Sequence, residues 1–168
     1  FFITKISKFV DQLMHEKEIQ IFVEAFKLVQ GNFYVDAIHK FQDLVNDFPE
    51  SDIADDAMYN IGLCYYEMNQ FQKCVEVLEE MIEKFPDATI TALENGNDFG
   101  KTAAKAYYLV VQCYIGLGDI QKAESYIPIL ENYTNTYVMK DSEKFSFAQL
   151  AKDSIDTFIK VKKENNNE

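Results

Sequence analysis

A chain of 168 residues is about one domain's worth, and its 48% hydrophobic residues, fourteen Phe and ten Tyr among them, supply a sizeable core. The net charge of −12 repels phosphate backbones and anionic bilayers, which excludes nucleic acid and anionic membrane surfaces as natural partners. All sixteen basic residues are Lys, so the bidentate fork of a guanidinium is missing, and six Gly with three Pro suit a chain built almost wholly of helices.

The opening stretch FFITKISKFV is too short and too charged to span a bilayer. Phe2, Ile3, Ile6, Phe9, Val10 and Leu13 recur at helical spacing and predict an N-terminal helix over residues 1–15. That helix either caps the fold or closes an earlier repeat. The chain opens on Phe1 rather than Met, so the lack of a leader within it says nothing about one upstream.

A helical hairpin follows over residues 18–51 and a second over 55–88. Phe48-Pro49 and Phe85-Pro86 lie 37 residues apart, as do Ala25 and Gly62, and Ala37 and Cys74. Three independent landmarks with one period identify a repeat. Gly31-Asn32, Asn69-Gln70 and Gly118-Asp119 sit at equivalent places and suit the left-handed residue that ends a helix. Residues 89–101 break the periodicity, contain the Asn95-Gly96 pair and predict an insertion that projects a loop. A third, more degenerate hairpin occupies 104–137, offset by 49 residues from the second: Ala106, Cys113, Tyr114 and Ala123 echo Ala57, Cys64, Tyr65 and Cys74. Pro128 lies inside its second helix and should kink or shorten it. Phe147, Leu150, Ala151, Ile155, Phe158 and Ile159 predict a capping helix over 142–162, and 163–168 reads as a disordered tail.

Cys64, Cys74 and Cys113 are odd in number, lack metal-type spacing and fall on apolar helix faces, which makes them small buried thiols. His15 and His39 have no Cys or second His at ligand spacing. The chain shows no phosphate loop, nucleophile elbow or metal-binding helix motif. The expectation is therefore no catalytic residues, no metal, no cofactor and no enzymatic activity.

The pattern resembles the tetratricopeptide repeat family. Its bulky, bulky-plus-small, aromatic, small and final-proline positions are matched by Met58, Ile61-Gly62, Tyr65, Cys74, Leu78, Met81 and Pro86. Ile21, Ala25, Leu28, Ala37, Phe41, Leu44 and Pro49 match in the first hairpin, which departs at Glu24. The third departs at Val111 and at Asn135, where the closing proline belongs. The resemblance implies an all-α fold: a right-handed α-solenoid of about three hairpins in one domain over 1–162, with capping helices at both ends.

In that family the first helix of each hairpin lines a concave face, and such repeats mostly bind other proteins. Carried over, the groove comprises Phe22, Phe26, Tyr59, Asn60, Leu63, Tyr66, Tyr108 and Gln112. An apolar, Tyr-rich surface of this kind suits a partner helix or peptide. Asn60 matches one position of the subtype that clamps a C-terminal carboxylate, but Phe26 and Leu109 occupy others. The alternative is a self-associating structural module whose groove is filled by its own N-terminal helix or a second copy. Between Phe33 and Ala88 the phrasing is similar to bacterial cell-envelope tetratricopeptide proteins of the outer-membrane assembly and Tol–Pal-associated kinds. This implies a periplasmic, scaffold-like role without direct membrane insertion; a cytoplasmic location is the alternative.

Overall fold

The computed structural model describes residues 2–165. Phe1, the side chains of Phe2 and Ile3, and residues 166–168 lie outside the described part, and with them the two ends of the predicted apolar stripe and tail.

Three helical hairpins stack in chain order. α1 (Phe2–Gln30) and α2 (Tyr34–Asp47) form the first, and α3 (Ala54–Glu67) and α4 (Phe71–Lys84) the second. α5 (Thr102–Gly116) pairs with the broken helix α6 (Ile120–Ser125) and α7 (Ile127–Glu131) in the third. A final helix, α8 (Phe147–Asn165), packs on α5, α6 and α7 and closes the stack.

The turns form as their residues dictate. Asn32, Asn69 and Gly118 adopt positive φ of 63°, 58° and 77°. At each, the amide one residue further on reaches back to the third carbonyl from the helix end: Phe33 to Leu28, Gln70 to Tyr65 and Asp119 to Tyr114, at 2.8–2.9 Å. The same Schellman closure therefore repeats three times. Pro128 separates α6 from α7 as a proline within a helix should, standing at the start of α7.

The core follows the repeat. Gly62 faces Leu78, and a Cβ there would come within 2.8 Å of its Cδ2, so the close approach of α3 and α4 requires the missing side chain. Ala25, Ala37, Cys64, Cys74, Ala123 and Cys113 are fully buried, and the three cysteines are free thiols. Phe22 and Phe41 meet edge to face at 5.4 Å between the first two helices.

Four expectations are corrected. The predicted helix over 1–15 and the first helix of the 18–51 hairpin are one continuous helix, because nothing before Gly31 breaks it. The capping helix starts at Phe147 rather than 142, because β2 (Tyr137–Lys140) and β3 (Glu143–Ser146) form a hairpin first. Its turn is Asp141-Ser142, both at positive φ (50° and 68°), as a tight two-residue turn demands. At the other end, Lys163, Glu164 and Asn165 continue α8 instead of beginning a disordered tail. The insertion, finally, does not project. It contributes β1 (Asp98–Phe99), which pairs with β2 at Asp98↔Val138 and Phe99↔Tyr137, giving a three-stranded antiparallel sheet in the order β1-β2-β3.

Candidate functional site

The first helices α1, α3 and α5 present one face side by side, and the insertion crosses it as a strap. The Thr91 amide donates to Asp56 Oδ1 on α3 at 3.0 Å, and the Asn60 amide donates to Glu94 Oε1. Lys105, on α5, holds both acids of the strap: its Nζ lies 2.6 Å from Asp98 Oδ2 and 3.4 Å from Glu94 Oε2. The same ammonium sits 4.4 Å from the ring centre of Tyr59. The base of the strap is closed by a Thr89–Lys101 bridge and by Ile90 N donating to Gly100 O at 2.9 Å. Gly100 is required there: its φ is 114°, and a Cβ would fall 2.5 Å from Thr136 Oγ1.

Burial sets the electrostatics beneath the strap. Asp56 and Asn60 are 1% and 0% exposed, and Asp56 Oδ2 and Asn60 Oδ1, one helical turn apart, have no hydrogen-bond partner. Burial first, then the neighbouring Asp55 carboxylate, pushes the Asp56 carboxyl up to about 8. Burial raises Asp55 as well. At Lys105 burial disfavours the charged form, but Tyr59, Glu94 and Asp98 outweigh it and hold the ammonium above its usual range. Burial likewise raises the Tyr59 hydroxyl. The pair of strap acids thus neutralises a cation that the fold has taken out of water.

The eight residues assigned to the groove divide accordingly. Phe22 is core, fully buried against Phe41, because it points between α1 and α2 rather than along the face. Tyr59 and Asn60 do lie on the shared face but are sealed under the strap. Phe26, Leu63, Tyr66, Tyr108 and Gln112 remain half-buried at its surface. The N-terminal helix does not fill this face; the strap does, and residues 4–17 of α1 are exposed.

Beyond the strap the face is bounded by α8. The Tyr108 ring lies 5.5 Å from that of Phe147, tilted by 45°, and Gln112 Nε2 donates to Ser154 Oγ at 3.1 Å. Between α5 and α8 a cleft of about 520 Å³ is lined by Tyr108, Leu150, Phe158 and Val161, with Asp153, Ser154 and Thr157 as its polar groups. Tyr66 lies next to it, its ring 5.5 Å from Phe71 and its hydroxyl near Tyr108. Sequence reasoning found Tyr108 but missed the α8 wall, although Leu150 and Phe158 stood in its predicted stripe. The same helix register carried Asp56 and Lys105 onto this face; what it missed were Glu94 and Asp98, the strap acids that engage Lys105. Elsewhere, His15, Glu18 and Asp52 bring their ligand-type atoms within 4.8 Å of one another, the one set among the described residues that could share a divalent ion.

Two tetratricopeptide-repeat models match the chain, at residues 56–88 and 104–127. None of the curated proteins matches the sequence. Among solved structures, the Hsp90 co-chaperone Cns1 from Saccharomyces cerevisiae is similar with a TM-score of 0.62 at 16% identity, over 91% of this chain and 43% of that one. The TPR2AB domain of yeast Sti1 in its pHSP90 complex gives 0.62 at 15% identity, over 92% and 50%. The Yersinia enterocolitica type III secretion translocator chaperone SycD, in an alternative dimer, gives 0.58 at 16% identity, over 91% and 96%. The chain thus spans half or less of the length of the two yeast proteins. At these identities the likeness shows the fold: an α-solenoid of tetratricopeptide hairpins.

Proposed function

We propose that this chain, with its tetratricopeptide hairpins, is a non-catalytic protein-interaction module that takes a helical or extended partner segment in the α5–α8 cleft. The observation that carries this reading is the cleft itself. Its lining is aromatic and aliphatic, it is open to solvent, and half-buried Tyr66 of α3 lies beside its Tyr108. Rigid aromatic anchors beside a few fixed hydroxyls suit an apolar side chain on a partner segment. Asp153 favours a donor next to it.

The pHSP90 partner of the Sti1 domain is not carried over to this chain. Asn60 and Lys105, the two groups of this face that could grip a foreign carboxylate, are already engaged by Glu94 and Asp98. The test is capture from native lysate by the wild type, by Tyr108→Asp and by Phe158→Asp, with Val35→Asp on exposed α2 as the control. Loss of the same proteins from both cleft variants, but not from the control, is expected. Equal recovery by all four removes the cleft as the docking surface. The proposal extends to a membrane-associated assembly of a bacterial envelope, supported by the phrasing between Phe33 and Ala88. Recovery of the protein in the cytosolic fraction alone ends that extension.

A further inference from the structure

His15, Glu18 and Asp52 meet where α1 crosses the turn between α2 and α3. His15 and Glu18 stand three residues apart on α1, neighbours on one side of the helix. That side also carries Phe22 into the core: at 100° per residue the three fall within about 60° of one another. Asp52 comes from the α2–α3 turn. It is distant in the chain from His15, which is why spacing along the sequence does not disclose the set.

The geometry is that of a chelate. His15 Nδ1 lies 3.7 Å from Glu18 Oε2, and one ligand atom from each of the three residues lies within 4.8 Å of the others. Three atoms so placed share a point within about 2.8 Å of each, and zinc bonds nitrogen and oxygen at about 2.0–2.2 Å. His15 and Asp52 are exposed, so small side-chain rotations close that difference. Glu18 is the fixed member. Its side chain is 14% exposed, and Ser51 Oγ donates to its Oε2 at 2.7 Å, which orients the carboxylate. The surroundings carry the matching charge. Asp47 and Glu50 join Glu18 and Asp52 on the walls of a cleft of about 430 Å³, and among the described residues no lysine lines it. The ammonium of nearby Lys17 lies over the Phe48 ring, 5.8 Å from its centre.

We propose that His15, Glu18 and Asp52 bind a divalent transition ion of the zinc class, with water in its open positions. The imidazole selects the ion. Carboxylates alone would suit calcium or magnesium, whereas a nitrogen ligand beside two carboxylates favours zinc and its first-row neighbours. Bound through a neutral imidazole, the ion cancels the two carboxylate charges. Binding ties the middle of α1 to the α2–α3 turn, at the point beyond which residues 4–14 are exposed. The site uses no residue of the α5–α8 cleft or of the strap.

Isothermal titration of the metal-free full chain with Zn²⁺, and separately with Ca²⁺, tests it. One Zn²⁺ per chain is expected, bound at least about tenfold more tightly than Ca²⁺. His15→Gln and Asp52→Asn should each weaken Zn²⁺ at least about tenfold, while His39→Gln, at the other histidine, changes nothing. Both ligand substitutions fall on exposed side chains, so the circular dichroism of the metal-free variants should match the wild type. Co²⁺ in place of Zn²⁺ should show no thiolate charge-transfer band, because the three cysteines are buried elsewhere. Absence of saturable Zn²⁺ binding overturns the proposal. So does Ca²⁺ bound as tightly as Zn²⁺, Zn²⁺ binding indifferent to His15→Gln, or a thiolate band with Co²⁺.

Discussion

Asp56 offers the most direct probe of the sealed face. Its Oδ1 accepts from the Thr91 amide, its Oδ2 has no partner, and burial pushes its carboxyl up to about 8. The folded chain therefore keeps this proton until about pH 8, whereas the unfolded chain releases it near pH ~4. Between those values unfolding releases a proton, so rising pH favours the unfolded state. The stability conferred by the neutral carboxyl is whole below about pH 4 and is lost as pH rises to 8. At about 1.4 kcal/mol per pH unit, roughly 4 kcal/mol disappears between pH 5 and pH 8, capped by the free energy of lifting the strap. Asp56→Asn fixes the neutral state: its amide oxygen still accepts from Thr91, and its NH₂ supplies the donor that the protonated Oδ2 would provide. Urea unfolding followed by far-ultraviolet circular dichroism, at pH 5, 6, 7 and 8, reads the difference between variant and wild type. That difference cancels the other carboxylates. The variant should gain on the wild type as pH rises, by about 4 kcal/mol or about 2 M in urea midpoint across the range. A gap constant from pH 5 to pH 8 would refute the buried neutral carboxyl.

Lys105→Met removes the cation shared by Glu94 and Asp98 and leaves two acids facing a dry site; a loss of about 3 kcal/mol is expected, with amide exchange in residues 90–98 rising before that of the hairpins. Gly62→Ala drives a Cβ to 2.8 Å from Leu78 and should cost about 1–3 kcal/mol in urea unfolding, recovered in part by Leu78→Val. The buried thiols should ignore a disulfide reagent until the chain unfolds: burial pushes Cys64 up to about 12, and its contact with Cys113, together with burial, raises Cys74. Reaction of either in the native state at neutral pH would contradict their burial.

What the sequence disclosed and what it withheld separate along a physical line. Gly62 opposite Leu78, the three left-handed turn residues and the break at Pro128 each follow from rules that act within a few residues. The hairpin at Asp141-Ser142 obeyed such a rule too. Its flanking Tyr-Val-Met and Lys-Phe-Ser are short, and helical periodicity beyond it drew the boundary of α8 too early. The groove differs in kind. A helical stripe says which way a side chain points, and Tyr59, Asn60, Leu63 and Tyr66 do point to the shared face. It does not say what covers that face. The cover is an insertion some 35 residues distant, whose two acids match the lysine beneath them. Its signal was an anomaly left uninterpreted: Asp56, Asn60 and Lys105, three polar residues at inward positions of an otherwise apolar face. A lysine set among tyrosines on a concave wall calls for compensating partners, and the nearest acids in the chain are Asp98 and Glu94. In a repeat with one irregular loop, polar residues on the lining helices are thus a reason to look for the loop on top of them.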